Sequence, residues 1–360
     1  MTGDASVRAA ILGTGGVAHL HARAIAGLGD VQLVAVADSS EERARAFAAE
    51  HGSPDVFADL ASMLAGAEPD VVHLCTPPAG HAEQAALAFA AGADVIVEKP
   101  PANSLAELDA MRGAGEAAGR RLAVVFQQRS GSAVSHIRGL LQAGSLGRPL
   151  VAQCDTLWRR GADYYAVPWR GTWAEEGGGP TVGLAVHQLD LLAHLLGEWA
   201  EAHGRFWRLA HDIEMEDVSQ GTVVFESGVI ATMTTTTLAA RETSRLRIDT
   251  ELATIELEHL YGHTHADWRI TPAAGVDPAV VSSWRLPDIE EPSGHDALLG
   301  EAYRAIAGDA PLPAVFADPA RALEIVTAMH RAATAGRSVR RSELADPALR
   351  GPLRAPVEVP

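Results

Sequence analysis

Short apolar runs alternate with amphipathic helical stretches in the first part of the chain, up to about residue 127. Val7–Leu12 and Val31–Ala37 are the first two runs, and the segments at 70–75, 94–97 and 122–126 continue the series. Each run is followed by a stretch with helical spacing. Alternation of this kind predicts a parallel sheet with helices on both faces, so residues 1–127 are predicted to form one α/β domain.

The pattern changes after residue 127. A helix is predicted at 132–142, a strand at 150–157 and an apolar helix at 181–196. From residue 202 to 258 the β-like segments follow one another without helices, which predicts a large open sheet that is mostly antiparallel. Helices at 295–307 and 318–335 close an α+β domain of residues 128–342, and a proline-punctuated tail at 343–360 is expected to be loosely ordered.

A glycine-rich turn joins the first predicted strand to the helix after it. Gly13, Gly15 and Gly16 are followed by Val17 and Ala18, a variant of the dinucleotide-binding fingerprint with alanine at the third glycine position. Gly13 allows the tight turn, and Gly15 lets the backbone approach a pyrophosphate. The helix then begins with free N–H groups that favour phosphate, so a nicotinamide dinucleotide is the expected cofactor.

Asp38 ends the second predicted strand, where a carboxylate can accept hydrogen bonds from both hydroxyls of an adenine ribose. It would repel a 2′-phosphate, so NAD is preferred, although Arg43 and Arg45 keep NADP open. The alternative interpretation of Asp38 is a cap for the helix that begins near Glu41.

Lys99 follows the buried run Asp94–Val97, at the strand end where open α/β sheets place their ligands. A partly desolvated lysine has a lowered pKa, which suits proton transfer near neutrality. The alternative is an ordinary surface lysine. Thr76 and Pro77 form a rigid loop after another strand. His81, at the start of the helix after it, is either a cap or packed imidazole, or a catalytic residue.

Aromatic and arginine side chains alternate between residues 158 and 173, which is typical of surfaces that stack a sugar ring or a nicotinamide and grip hydroxyls. The alternative is an ordinary packed surface. In the helix that follows, His187, Asp190 and His194 share one face, but no fourth ligand is evident and no metal site is expected.

The net charge of −17 argues against nucleic-acid and anionic-membrane partners. Cys75 and Cys154 are the only two cysteines, which excludes a disulfide framework. The sequence shows no signal peptide and no apolar stretch long enough to span a bilayer, so a cytoplasmic location is expected.

These motifs, in this order, resemble the Gfo/Idh/MocA oxidoreductases, the group of glucose–fructose oxidoreductase and inositol dehydrogenase. The resemblance covers nearly the whole chain and rests on the glycine turn, the Cys75–Pro78 loop with His81, Glu98-Lys99-Pro100, Trp169-Arg170, and the glycine run that leads to His187. It implies a Rossmann domain, then an α+β domain with an open sheet used for homodimer or homotetramer contacts. The last helix is expected to pack back toward the first domain.

The resemblance also implies NAD(P)-dependent oxidation of a secondary alcohol of a sugar, cyclitol or related polyol, or the reverse reduction. Lys99 and His187 correspond to the catalytic pair, which must act on one substrate oxygen. Many members carry an aspartate four residues before the histidine, where this chain has Gly183, so the resemblance leaves open which of the two is the base.

The fingerprint, the loops and the resemblance together give two sets of predicted site residues. The cofactor-binding set is Gly13, Gly15, Gly16, Val17, Asp38, Thr76, Pro77, His81, Glu98, Lys99, Gln127, Trp169 and Arg170. The substrate-binding set is Lys99, Arg129, Trp158, Tyr165, Trp173 and His187. Two other functions stay open, namely an NAD-dependent glycosidase that acts by transient oxidation and elimination, and a non-catalytic NAD-binding regulator.

Overall fold

The computed structural model describes residues 6–354 and 356–359. The strands are β1 (Val7–Leu12), β2 (Val31–Ala37), β3 (Asp55–Phe57), β4 (Val71–Leu74), β5 (Asp94–Val97), β6 (Leu122–Val124), β7 (Pro149–Arg159), β8 (Trp199–Trp207), β9 (Val218–Phe225), β10 (Ile230–Thr236), β11 (Leu238–Thr250), β12 (Ala253–His259), β13 (Trp268–Pro272) and β14 (Val339–Arg340). The α-helices are α1 (Ala18–Ala26), α2 (Glu41–Glu50), α3 (Leu60–Ala67), α4 (His81–Ala90), α5 (Leu105–Ala118), α6 (Ser132–Gln142), α7 (Ala162–Tyr165), α8 (Pro180–Gly183), α9 (Val186–Leu196), α10 (Pro278–Ser282), α11 (His295–Ala307) and α12 (Arg321–Ala335). Among these helices, none has the combination of length and apolar character that crossing a bilayer requires.

The chain forms two compact units. The first contains the residues up to Ala102, Glu107–Gln127 and His295–Ala317. Its sheet is parallel throughout, in the order β3-β2-β1-β4-β5-β6, as the alternating pattern predicted. All four residues of β4 and of β5 are buried, because helices cover both faces of the sheet.

The carboxyl ends of four neighbouring strands line up at one edge of this sheet. Leu12 pairs with both Ala37 and Leu74, and Leu74 pairs with Val97. The residues that follow these strand ends are Gly13, Asp38, Cys75 and Glu98. The predicted cofactor-binding motifs of the first unit therefore share one edge, which we call the cofactor edge.

Helix α11 packs on α1 within the first unit. Its residues Leu298, Leu299, Ala302 and Tyr303 join the apolar core of that unit, and full burial of a leucine side chain contributes about 2 kcal/mol. Helix α12 belongs to the second unit, where it packs on β8 and α9. The helix that rejoins the first unit is therefore α11 and not the last helix, α12, which was predicted at 318–335. Both helices are amphipathic, and the sequence pattern does not indicate which sheet each one covers.

The second unit contains a sheet in the order β13-β12-β11-β7-β10-β9-β8-β14. Its strands pair antiparallel except β7 with β10. Buried and more exposed residues alternate along β10, and Val151 and Ile230 are neighbours exposed on the open face. The predicted fold class is confirmed: a parallel Rossmann sheet is followed by a mostly antiparallel open sheet.

Two predictions for the second unit differ from the structure. The helix predicted at 181–196 is broken into α8 and α9, because the N–H groups of Leu184 and Ala185 both donate to the Pro180 carbonyl. The tail predicted to be loose is packed: Arg331 donates to the carbonyls of Leu349 and Gly351, and Leu353 is buried. Residues 1–5, Ala355 and Pro360 lie outside the described residues.

Candidate active site

The glycine turn at the cofactor edge has the geometry of a phosphate-binding loop. Gly13 has φ 87°, and a Cβ there would lie 2.8 Å from the carbonyl oxygen of Cys75. A Cβ added to Gly15 or Gly16 meets no described heavy atom within 4 Å, so their backbone is open to a ligand. Helix α1 follows with no acidic residue in its first turn, and Val17 lies at its N-cap. These residues fit the pyrophosphate of a dinucleotide.

Asp38 is held as a carboxylate beside this turn. One oxygen accepts hydrogen bonds from the N–H and the hydroxyl of Thr14, at 2.8 and 2.9 Å. The other accepts from the Ser40 N–H at 2.8 Å and from Arg43 at 2.6 Å. Burial opposes the charge, but these hydrogen bonds lower the pKa of Asp38 to about 2. The group therefore presents a fixed negative charge where the predicted ribose would bind.

Lys99 follows β5 at the same edge, and it is the only lysine in the sequence. Its backbone N–H donates to the side chain of Glu98 at 3.1 Å. The carboxylate of Glu98 itself turns inward, where it contacts the imidazoles of His21 and His295. Glu98 was predicted as a cofactor residue, and its side chain is placed in the interior of the first unit.

The loop after β4 is fixed by local hydrogen bonds. The Thr76 hydroxyl donates to Gln84 at 2.6 Å. The buried ring of His81 lies 2.9 Å from the Thr76 carbonyl and 3.2 Å from the Pro100 carbonyl, so it links this loop, which contains Pro77, to the loop after Lys99. This placement favours the packed interpretation of His81. Gln127 lies half-buried in the short 3-10 turn after β6.

The aromatic and basic loop of the second unit is ordered by its own side chains. The guanidinium of Arg170 lies 3.8 Å from the ring centroid of Tyr164 and 4.2 Å from that of Trp169. It also donates to Glu176 at 3.2 Å, and Glu176 accepts a second hydrogen bond from the Gly171 N–H at 2.7 Å. Trp169 and Arg170 thus form a built cluster with Tyr164 and Glu176.

The other predicted substrate residues are spread over the second unit. Trp158 is buried at the end of β7 and donates to Ser244 at 3.0 Å. The Tyr165 hydroxyl donates to Thr237 at 3.3 Å, and Trp173 is half-buried. The structure places Trp158 in the packed sheet, and only Tyr165 of these three lines the small cavity of about 10 Å³ beside the loop, room for about one water molecule.

Arg129 was predicted to bind substrate, but its guanidinium forms a two-point ion pair with Asp190, at 2.6 and 2.5 Å. Both side chains are almost fully buried. Burial raises the pKa of Asp190, and the charge of Arg129 opposes that rise. The pair anchors α9 from within, so the structure gives Arg129 a packing role.

His187 lies in the first turn of α9, one turn after Gly183. Glu176 comes close to this turn: a Cβ built on Gly183 would lie 3.5 Å from its carboxylate oxygen. Sequence reasoning missed Glu176. The available signal was an acidic residue directly before the glycine run, in a loop already singled out for its arginine.

A second buried carboxylate near this loop was also missed. Glu216 is fully buried; its Oε1 accepts the Thr181 N–H at 3.2 Å, and its Oε2 has no hydrogen-bond partner among the described residues. Burial raises the pKa of Glu216 to about 7. Gly179 leaves room for it, since a Cβ there would lie 2.4 Å from the Glu216 carboxylate.

Each of the two units matches the profile of a known protein family. Residues 7–126 match the profile of an oxidoreductase family with an NAD-binding Rossmann fold, and residues 134–256 match the GFO/IDH/MocA C-terminal domain. The chain is 32% identical to D-glucoside 3-dehydrogenase of Escherichia coli over 281 residues, which covers 71% of this chain and 78% of that protein. It is 31% identical to 1,5-anhydro-D-fructose reductase of Ensifer adhaerens, over 56% of this chain and 60% of that one.

Solved structures show the same fold. The WlbA dehydrogenase of Bordetella pertussis, crystallised with NADH and UDP-GlcNAcA, has a TM-score of 0.83 and 26% identity over 93% of this chain and 98% of its own. Levoglucosan dehydrogenase, crystallised with NADH and L-sorbose, has a TM-score of 0.79 and 21% identity over 93% and 98%.

Proposed function

Because the chain belongs to the Gfo/Idh/MocA oxidoreductase family and has an NAD-binding Rossmann domain, we propose that it transfers a hydride between the nicotinamide and a secondary alcohol or carbonyl of a sugar, cyclitol or related polyol. The chain is an NAD(P)-dependent oxidoreductase, and the substrate class is the part that we propose. The named relatives act on a glucoside and an anhydro sugar, which supports that class.

The observation that carries the proposal is the single lysine. Lys99 at the cofactor edge is the only lysine in the sequence, and all other residues of the Lys and Arg type are arginine. Arginine stays protonated in proteins, whereas a lysine that is partly buried shifts its pKa and can exchange a proton. The only lysine ammonium group of the chain therefore lies at the cofactor edge, where it can exchange a proton that a guanidinium would keep.

We assign cofactor binding to the glycine turn and Asp38, and catalysis to Lys99 and His187. When bound, NAD supplies the hydride acceptor. Oxidation also releases the hydroxyl proton, which needs a base, and an imidazole titrates near neutrality. His187 takes this proton, and Lys99 donates a hydrogen bond to the developing alkoxide. The reverse assignment, with Lys99 as the base, uses the same atoms.

Glu176 joins the proposed catalytic group. Its buried carboxylate lies beside the turn that precedes His187, and Gly183 leaves the space that a side chain would take. A carboxylate there stabilises a positive charge as a neighbouring base becomes protonated. Glu176 thus supplies, from the loop, the negative charge that Gly183 does not supply.

The test is a panel of polyols, sugars and glycosides with NAD and with NADP, read at the NADH absorbance. Lys99→Met and Lys99→Arg are compared with the unaltered protein, and NADH binding is measured separately. We expect Lys99→Met to lose turnover by at least about 10³-fold while NADH binding is retained. Lys99→Arg keeps a hydrogen-bond donor but cannot act as a base, so an equal loss in this variant would assign the base role to Lys99, whereas turnover close to the unaltered level would leave that role to His187.

The same panel separates the other two functions. Release of an aglycone without net NADH would indicate a glycosidase that acts by transient oxidation and elimination. Binding of NADH without turnover over the whole panel would favour a regulatory role.

We also propose that the protein forms a homodimer or homotetramer through the open face of the second sheet. The paired residues Val151 and Ile230 are 48% and 47% exposed there, which supports an apolar contact. Replacing both with arginine should convert the oligomer to monomers in light scattering. An unchanged mass would place the contact elsewhere.

A further inference from the structure

A buried cluster of polar side chains lies behind Lys99, wholly within the first unit. Glu98 Oε1 lies 3.0 Å from His21 Nε2 and 3.1 Å from His295 Nε2. His21 Nδ1 lies 2.7 Å from His73 Nδ1, and His73 Nε2 lies 2.6 Å from the Tyr303 hydroxyl. All five side chains are buried, so each polar atom depends on its partner in the cluster.

The donors and acceptors of this cluster can be assigned in one direction. An ionised Glu98 only accepts, so His21 and His295 both donate through Nε2–H. A neutral His21 then accepts at Nδ1 from His73 Nδ1–H. His73 in turn accepts at Nε2 from the hydroxyl of Tyr303. The chain therefore ends on one carboxylate, with every contact used once and the imidazoles of His21 and His73 neutral.

The electrostatics agree with this assignment. Burial lowers the pKa of His21 and of His73, which keeps both rings neutral. Burial raises the pKa of Tyr303, which keeps its proton on the hydroxyl. Burial opposes the charge of Glu98, but the hydrogen bonds from His21 and His295 outweigh it and lower the pKa of Glu98. Cys75 and His81 are two further titratable groups whose charge is coupled to Glu98, and both are buried.

Glu98 connects this cluster to the end of β5, where Lys99 lies. Its Oε2 accepts the backbone N–H of Lys99 at 3.1 Å, and its own N–H donates to the Leu74 carbonyl at 3.0 Å. His21 lies in the first turns of α1, directly after the glycine turn. The carboxylate is thus bound to the elements that form the cofactor edge, and it holds the peptide that carries Lys99.

We propose that Glu98, held by His21 and His295, is a positioning residue that fixes the backbone at Lys99 and so sets the geometry and the titration of its amine. The proposal rests on the catalytic role of Lys99 given above. A displacement of about 1 Å in a reacting group lowers turnover by about 10²-fold, so the effect should appear in kcat more than in KM.

The single lysine makes the test direct. In untagged protein grown with isotope-labelled lysine, the only side-chain lysine signal comes from Lys99. Its NMR titration gives the pKa of the amine without any enzymatic assay. We expect Glu98→Gln to shift this titration and to lower kcat by about 10- to 100-fold, with NADH affinity within about threefold.

The matched control is Asp94→Asn. Asp94 is a buried carboxylate at the opposite end of β5, where it pairs with Arg121 at 2.8 Å. Asp94→Asn should alter stability but leave the titration of Lys99 where it is. Its kcat should stay within about twofold of that of the unaltered protein. If both variants behave alike, the effect of Glu98→Gln is general weakening of β5, and the proposal is overturned.

A second pair of variants guards against misfolding of Glu98→Gln. His295→Ala removes one donor to the carboxylate, whereas His295→Gln retains an N–H at a similar reach. We expect the lysine titration to shift in the alanine variant and to return toward the original in the glutamine variant. Unshifted titration in both would overturn the proposal. If the unaltered protein oxidises no polyol, the proposed function fails, while the lysine titration still decides the role of Glu98.

Discussion

Two buried carboxylates, one in each unit, are solvated by the protein in opposite ways. Glu98 at the cofactor edge accepts hydrogen bonds from His21, His295 and the Lys99 backbone, and its pKa is lowered. Glu216 behind the loop of the second unit keeps one oxygen without a partner among the described residues, and burial raises its pKa to about 7. The first unit therefore stabilises a permanent charge, whereas the second holds a carboxyl group that changes its protonation near neutrality.

The difference also concerns how each region is built. At the cofactor edge the groups come directly from strand ends, so their positions are fixed by the sheet. In the second unit, Arg170, Tyr164 and Glu176 are held by one another. Charged groups held at strand ends suit the binding of a cofactor that does not change between relatives. A loop that is ordered by its own side chains can differ between proteins that act on different substrates.

The largest effect that would sharpen this contrast is on stability, and it has opposite signs in the two units. The folded pKa of Glu216, about 7, lies above its ordinary value of 4.5. Ionisation of Glu216 therefore opposes folding, and its contribution to stability falls as pH rises from about 4.5 to about 7. At about pH 8, Glu216→Gln should raise the free energy of unfolding by up to about 3 kcal/mol, and at about pH 4 the gain should vanish.

Glu98→Gln should act in the other direction at about pH 8, lowering the free energy of unfolding by about 1–3 kcal/mol, because its buried donors lose a charged acceptor. Urea unfolding of both variants at the two pH values measures the contrast. Glu214→Gln is the control for the loop, since Glu214 is exposed and lies two residues from Glu216. A gain for Glu216→Gln that is equal at both pH values would contradict the raised pKa.

The sequence predicted the cofactor edge better than the loop, and the reason is physical. Gly13, Asp38 and Lys99 each follow a strand, and parallel strands bring such positions to one edge whatever the surrounding helices do. The inward turn of Glu98 depends on His295, which lies far along the chain. Helical spacing places His21 on the buried side of α1, but it does not name the partner.

The loop residues depend on contacts that no local pattern encodes. Arg129 was expected to bind substrate, yet its guanidinium pairs with Asp190 of α9. Trp158 was assigned to the loop, but β7 extends to Arg159 and buries it. Such choices are decided by which of several polar groups meet in three dimensions, and periodicity records only which side of an element is apolar.

A smaller effect is expected from Glu176, and it tests whether the loop carries a catalytic charge. Glu176→Gln should lower kcat by about 10- to 100-fold, because a protonated base loses its stabilising carboxylate. Adding Gly183→Asp to this variant should restore part of the loss, since a side chain at 183 reaches the same space. The measurement is kcat at saturating NAD and substrate.

Glu175→Gln is the matched control for Glu176, because Glu175 is its exposed neighbour in the same loop. It should leave kcat unchanged within about twofold. Equal behaviour of the two variants would show that the carboxylate of Glu176 orders Arg170 and does not contribute to kcat.

The smallest effect is expected at Asp38, whose fixed charge at the cofactor edge is predicted to favour NAD over NADP. Asp38→Asn keeps the size of the side chain but removes the repulsion of a 2′-phosphate, so the ratio of kcat/KM for NAD to that for NADP should fall by about 10-fold. Arg43, which pairs with Asp38 and is 61% exposed, becomes available to a phosphate in that variant. Arg45→Ala is the control, because Arg45 pairs with Glu41 on the exposed side of α2. If Arg45→Ala changed the ratio as much as Asp38→Asn does, the preference would arise from the summed charge around α2. The fixed carboxylate of Asp38 would then not explain the choice of cofactor.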